Sequence, residues 1–119
     1  MNLEWHEFPD APAPGALLCT NAEIPRQGIR SIMVDGFPVL LLAGRNGVLA
    51  FVNCCPHQFL PLDHRGGDVL SADGERLICS NHGAVFRVSD GKGIAGEGRD
   101  LCLSAIPLDV RAGGVFITG

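Results

Sequence analysis

The stretch PVLLLAGRNGVLAFVNCCPH, residues 38 to 57, decides the fold. It begins with a continuously apolar run, Val39–Ala43, which is typical of a strand buried on both faces. Asn46-Gly47 follows as a strong signal for a tight hairpin, and Val48–Val52 is the predicted returning strand. The hairpin delivers the chain to two adjacent cysteines, Cys54-Cys55, so a metal-ligand motif is expected where the strand ends.

Short β-like segments separated by turn residues continue along the rest of the chain. The 16 glycines and 8 prolines favour many tight turns. No stretch keeps a 3.6-residue apolar period over three turns, so almost no long helix is expected. The other predicted elements are a strand at Ile29–Val34 followed by the turn residues Asp35-Gly36, a hairpin over Asp68–Cys79 with Asp73-Gly74 at its tip, a turn at Ser89–Gly91, and a hairpin of Leu108–Arg111 and Val115–Ile117 around Ala112–Gly114.

Composition and charge narrow the class of protein. A length of 119 residues suits one domain with its own core, and 46% hydrophobic residues indicate a soluble globular chain. The net charge of −4, without a run of Lys or Arg, argues against nucleic acid or an anionic membrane as a partner. We find no signal peptide and no membrane-spanning stretch, so the expected location is the cytoplasm. Five cysteines, an odd number, are better explained as thiols or metal ligands than as a disulfide framework.

Two pairs of Cys and His carry the chemistry. Cys55-x-His57 and Cys79-x-x-His82 are separated by 21 residues, each pair at the end of a predicted strand. Thiolate and imidazole suit either zinc or iron. A tetrahedral structural zinc would use Cys54, His57, Cys79 and His82. A 2Fe–2S cluster would use Cys55, His57, Cys79 and His82, with two cysteines on one iron and two histidines on the other. Spacing alone leaves both interpretations open.

The two pairs resemble the cluster-binding loops of Rieske-type 2Fe–2S proteins. The first loop of that family reads C-P-H-x, and this chain has CPHQ over Cys55–Gln58. The second reads C-x-x-H-G-x-x-F, and this chain has CSNHGAVF over Cys79–Phe86. The resemblance is strong in the loops and looser over the flanking strands, from about Phe37 to Ile117.

The resemblance implies an all-β fold. It consists of a Rieske-like antiparallel β-sandwich base domain with an inserted cluster-binding subdomain of two loops. The whole chain, residues 1–119, would be a single Rieske 2Fe–2S domain, with the cluster-binding subdomain at about residues 52–86.

The resemblance also implies the ligand set. Cys55 and Cys79 would bind one iron of a Rieske-type 2Fe–2S cluster, and His57 and His82 would bind the other. Gly83 would allow the backbone to approach the sulfides, where amide N–H groups donate. Cys54 is then no ligand.

The high-potential members of the family differ from this chain at several positions. They carry a disulfide between the loops, where this chain has Leu60 and Asn81, and they carry hydroxyl donors where it has Ala84 and Phe86. Glu97 lies in the stretch that matches the family's Gly-Pro loop. Fewer donors and an added negative charge predict a reduction potential on the order of −150 mV, the low end for such centres.

The implied function is that of a soluble one-electron carrier similar to the ferredoxin component of bacterial ring-hydroxylating dioxygenase systems. Such a chain is not an enzyme, and it is expected to be a monomer. It would bind transiently to a flavin-containing, NAD(P)H-dependent reductase and to a terminal oxygenase. Two alternatives are a small Rieske-like subunit of a larger reductase, such as nitrite reductase, and a zinc-stabilised interaction module.

Three weaker signals receive structural interpretations. Gly91-x-Gly93-x-x-Gly96 matches a dinucleotide-binding fingerprint but lacks the required strand and helix, so we interpret it as a turn. Cys19 and Cys102 have apolar neighbours and are expected to be buried thiols.

Overall fold

Antiparallel strands make up most of the regular secondary structure. The computed structural model describes residues 4–25, 28–44, 47–55, 61–63, 69–80, 83–96, 99 and 101–118. Within these residues the only helices are two single-turn 3-10 helices, Trp5–Glu7 and Asn21–Glu23. The nine strands there are β1 Leu17–Cys19, β2 Ile29–Val34, β3 Phe37–Gly44, β4 Gly47–Val52, β5 Arg76–Ile78, β6 Val85–Arg87, β7 Gly93–Ala95, β8 Leu108–Arg111 and β9 Gly114–Ile117.

The strands form three small sheets, in the orders β1-β9-β8, β2-β3-β4 and β5-β6-β7. Every pairing between them is antiparallel, as the all-β prediction requires. The predicted turn between β2 and β3 is confirmed: Asp35 and Gly36 both have positive φ, 50° and 87°, as a type I′ hairpin turn demands. The predicted β3–β4 and β8–β9 hairpins also form, although Arg45 and Asn46 lie outside the described residues.

The central strand β3 is buried on both faces, as its apolar run predicts. Val39 and Leu41 belong to a core shared with β1 and β9, which we call the base core. Leu40 and Leu42 belong to a second core shared with β5 and β6, which we call the ligand core. All four side chains are 0% exposed, so the sheet β2-β3-β4 separates two cores and contributes to each.

The third sheet joins the second through a segment that the sequence did not reveal. Residues 101–103 pair with the edge of β7, where Gly93 N–H donates to the Leu101 carbonyl at 2.7 Å. Residues 104–106 then pair with β4, where Val52 N–H donates to the Ser104 carbonyl at 2.9 Å. One continuous segment therefore fixes the third sheet against the second.

The glycine run from Gly91 to Gly96 is only partly the turn that we expected. Gly91 and Gly96 have positive φ, but Gly93–Ala95 is strand β7, which pairs with β6. The turn prediction is therefore wrong for the middle of the run. A three-residue strand carries too few side chains to show a period, so only the long-range pairing reveals it.

The hairpin with Asp73-Gly74 at its tip is present, although its outgoing arm is short. Leu70 pairs with Leu77 through an isolated bridge, and Gly74 N–H donates to the Ser71 carbonyl at 2.9 Å. The returning arm is β5, which also pairs with β6. Since β6 in turn pairs with β7, the third sheet extends as far along the chain as Ala95. The subdomain limits of about 52–86 stay a prediction. No helix among the described residues is long and apolar enough to cross a membrane.

The two-sided burial of β3 predicts a sharp contrast in stability between neighbouring strands. Leu41→Ala removes a side chain that is 0% exposed, and it should lower the free energy of unfolding by about 2–5 kcal/mol. Met33→Ala on β2 removes a side chain that is 67% exposed, and it should change this free energy by less than about 0.5 kcal/mol. Urea denaturation of both variants checks the contrast, and equal effects would contradict the described sheet.

Candidate metal centre

The two adjacent cysteines pack into different cores. Cys55 is 1% exposed and belongs to the ligand core, whereas Cys54 is half-buried against the base core. The strand β4 already shows this alternation: Phe51 faces the ligand core, and Val52 faces the base core. Successive side chains of a strand point to opposite faces. The same alternation holds for Cys54 and Cys55, although the chain bends at Asn53 and the Cys54 N–H donates to the Val52 carbonyl at 2.8 Å. The register of the sheet therefore directs Cys55, not Cys54, toward the second cysteine loop.

The second cysteine loop begins where β5 ends. Cys79 is 2% exposed and belongs to the ligand core with Cys55. Its N–H donates to the Ala84 carbonyl at 2.8 Å, and its carbonyl accepts the Gly83 N–H at 3.0 Å. Gly83 has a φ of +71°, a conformation that favours glycine. The amide of Gly83 closes this turn, and the expected donation of loop amides to a cluster stays a prediction.

The structure brings together only part of the predicted ligand set. Cys55 and Cys79 share one core, whereas His57 and His82 lie outside the described residues, as do Leu60, Asn81 and Glu97. The described residues contain no group of three or more His, Cys, Asp or Glu placed to hold a metal ion. The ligand set therefore stays a prediction.

The chemistry of the described donors fits a cluster with two thiolate ligands. Two thiols meet in a core with little access to water, and an added Cβ at Gly83 would meet no described atom within 4 Å. Burial raises the pKa of the Cys54 thiol, and the neighbouring Cys55 raises it further. The side chain of Cys54 packs against the base core, whereas Cys79 lies in the ligand core, and this disfavours the zinc set that includes Cys54.

The remaining cysteines differ in burial. None of the five forms a disulfide. Cys19 is 2% exposed, and burial raises its pKa, with a smaller contribution from Glu23, so it is the buried thiol that we expected. Cys102 is only half-buried, and the expectation of a fully buried thiol is wrong there, because it lies on the segment that edges β7.

A third segment contacts the second cysteine loop. Gly96 follows β7 with a φ of +64°, and a Cβ at this position would lie 2.9 Å from the Gly83 carbonyl oxygen. The stretch that we aligned with the family's third loop therefore lies against the loop of Cys79.

Sequence analysis missed a polar network beside the cysteines. The side chain of Asn53 is 5% exposed and bonds to Asp63, to Ser31 and to the backbone of residue 62. Burial raises the pKa of Asp63, but hydrogen bonds from Asn53 and Ser31 outweigh this effect and hold the pKa below its ordinary value. An Asn at the end of an apolar strand, just ahead of the cysteines, was the available signal. Asp63 is thus a structural partner, and the histidine beside it in the sequence lies outside the described residues.

The contact of Gly96 predicts a position-specific cost of adding one methyl group. Gly74 offers a matched control, with a φ of +74° and no described atom within 4 Å of an added Cβ. Gly74→Ala should cost about 1–2 kcal/mol because only the left-handed backbone is strained. Gly96→Ala should cost at least about 1 kcal/mol more, because it also forces backbone against backbone. Urea denaturation under anaerobic conditions measures both, and equal costs would show that Gly96 makes no tight contact.

Comparison with known proteins supports the same centre. A model of the Rieske [2Fe-2S] domain family matches residues 16–102. The ferredoxin of carbazole 1,9a-dioxygenase from Nocardioides aromaticivorans IC177 superposes with a TM-score of 0.70 at 22% identity, covering 89% of this chain and 98% of that one. The Sphingomonas yanoikuyae B1 ferredoxin gives 0.70 at 20% identity, covering 88% and 98%.

The same fold also occurs as part of a larger chain. The terminal oxygenase of carbazole 1,9a-dioxygenase from Novosphingobium sp. KA1 gives a TM-score of 0.72 at 20% identity, covering 88% of this chain but 29% of that one. No curated protein matches the sequence. At these identities the structural likeness establishes the fold, and the family model establishes the cofactor, a Rieske-type 2Fe–2S cluster. The chain belongs to the Rieske [2Fe-2S] domain family.

Proposed function

We propose that this chain is a one-electron carrier. It accepts an electron from a flavin-containing, NAD(P)H-dependent reductase and passes it to a terminal oxygenase. The observation that carries the proposal is the shared burial of Cys55 and Cys79 in one core, at the ends of β4 and β5. In the proposed ligand set these thiolates bind one iron, and His57 and His82 bind the other. The cluster, when bound, supplies a reversible one-electron couple.

The likeness to ferredoxins supports a carrier rather than an oxygenase. The chain matches two ferredoxins over 98% of their length but only 29% of a terminal oxygenase. Solved complexes of an oxygenase with a ferredoxin, in carbazole 1,9a-dioxygenase, are among its structural neighbours. By analogy, we propose a monomer in the cytoplasm that makes small, short-lived contacts with its partners, as electron-transfer encounters do.

The position of the ligand loops suits this function. Both cysteines lie one to three residues beyond the ends of strands, so the sheets fix the positions of both. Their side chains are only 1% and 2% exposed, so the ligand core shields them from water. A carrier needs cluster ligands that are firmly held and shielded in this way.

The first experiment determines the metal and the electron path. We expect the protein, purified anaerobically, to contain iron and acid-labile sulfide in equal amounts and to give an EPR signal after reduction. It should also be reduced by NADH through a flavoprotein reductase of a ring-hydroxylating system and reoxidised by the matching terminal oxygenase. A colourless protein with one zinc and no sulfide would contradict the cluster, and a cluster that no oxygenase reoxidises would contradict the carrier.

The packing of the adjacent cysteines predicts opposite results for two serine variants. Cys55→Ser should abolish the cluster because it removes a thiolate from the ligand core. Cys54→Ser should retain the cluster with unchanged iron content, because its side chain packs against the base core. The visible spectrum and iron analysis check both variants, and loss of the cluster in Cys54→Ser alone would reverse the assignment.

A further inference from the structure

The side chain of Asn53 is buried two residues ahead of Cys55. It is the one buried polar residue among those that the structure describes, at 5% exposure. Its Oδ1 accepts the N–H of Leu62 at 2.8 Å. Its Nδ2 donates to Oδ1 of Asp63 at 3.0 Å and to Oγ of Ser31 at 3.1 Å. The oxygen and the nitrogen of the Asn53 amide are therefore both hydrogen-bonded, the oxygen as an acceptor and the nitrogen as a donor.

The peptide of Leu62 is bonded on both of its sides. Its N–H reaches Asn53, and its carbonyl accepts two bonds from Ser80, one from the N–H at 2.8 Å and one from Oγ at 2.7 Å. Ser80 directly follows Cys79. The Leu62 side chain, 0% exposed, packs in the ligand core with both cysteines. The two peptide groups on either side of the Leu62 Cα thus connect the segment that contains Cys55 with the segment that contains Cys79.

The network is fixed to the sheet β2-β3-β4. Ser31 lies on β2, and its Oγ donates to Oδ2 of Asp63 at 2.7 Å while it accepts from Asn53. Asn53 itself directly follows β4. Because the sheet is packed on both faces, it gives these hydrogen bonds a rigid support.

We infer that Asn53 is a positioning residue, which acts through the Leu62 peptide and Ser80 to hold the Cys55 and Cys79 loops at the separation that one iron requires. The inference rests on the proposed ligand set. Outer partners of this kind typically change metal affinity by 10–100-fold when they are removed.

Only an amide satisfies all the partners of Asn53. An aspartate can accept from Leu62 but cannot donate, and it would face the Asp63 carboxylate. An alanine leaves the buried N–H of Leu62 without its acceptor, which costs more than the bond itself contributes. The site therefore discriminates between side chains of nearly equal size, and this allows a sharp test.

The test compares holoprotein variants under anaerobic conditions. With Asn53→Ala we expect iron loss to a chelator to be at least about tenfold faster than in the wild type, with a broadened EPR spectrum of the reduced cluster. Val115→Ala is the control, because Val115 is 0% exposed in the base core and touches none of the network. It should unfold at a lower temperature yet keep the wild-type EPR spectrum. Ser80→Ala, which removes one of the two bonds to Leu62, should give an intermediate rate.

A pair of charge variants separates geometry from stability. Asn53→Asp should lose iron faster, whereas the double variant N53D/D63N restores a donor opposite an acceptor and should recover part of the difference. D63N alone should stay near the wild type, because the Asn53 amide still finds an acceptor.

The outcomes keep the inference separate from the proposed function. A wild-type protein without a cluster overturns the proposed function, and with it the basis of the inference. If the wild-type protein contains a cluster, two results overturn the inference alone. In the first, Asn53→Ala and Ser80→Ala keep the wild-type rate of iron loss and EPR spectrum. In the second, Val115→Ala reproduces the changes seen in those two variants. Should Asn53→Ala fail to fold, Ser80→Ala and the charge pair decide the question.

Discussion

The burial of β3 on both faces is the constraint on which the rest of the structure depends. Because side chains alternate across a strand, Val39 and Leu41 enter one core, and Leu40 and Leu42 enter the other. The sheet β2-β3-β4 consequently has no solvent face at its centre, and it must be covered on both sides. The sheet β1-β9-β8 covers one face, and the third sheet with the cysteine loops covers the other.

The same alternation places the two adjacent cysteines against different cores. Val52 pairs with Val39 in the β3–β4 register, and Cys54 and Cys55 continue the two-sided pattern beyond it. A slip of one residue in that register would exchange their faces. The proposed ligand assignment is thus tied to the register of β3 and β4, and a motif search on CCPH alone cannot supply this information.

The sequence predicted what local pattern controls. The hairpins at Asp35-Gly36 and around Gly113 follow from turn chemistry, and the apolar run of β3 shows its burial directly. The strand β7 and the pairing of residues 101–106 depend on contacts between distant segments, which have no local signature. Within the site, the cysteines can be recognised from the sequence because cysteine is a common metal ligand. Asn53 carries no such signal, and only its contacts in the folded chain show its importance.

The way in which the loops are joined follows from these contacts. High-potential relatives join them by a disulfide at positions where this chain has Leu60 and Asn81, and none of its five cysteines forms a disulfide. Here the described link is the Leu62 peptide between Asn53 and Ser80. Each such hydrogen bond contributes about 1 kcal/mol, against about 2–4 kcal/mol for a disulfide. A disulfide holds two loops whatever the state of the domain beneath them, but this link holds only while the sheet keeps Asn53 and Ser31 in place. In the proposed ligand set, the sheet that separates the two cores therefore also supports the link between the two cysteine segments.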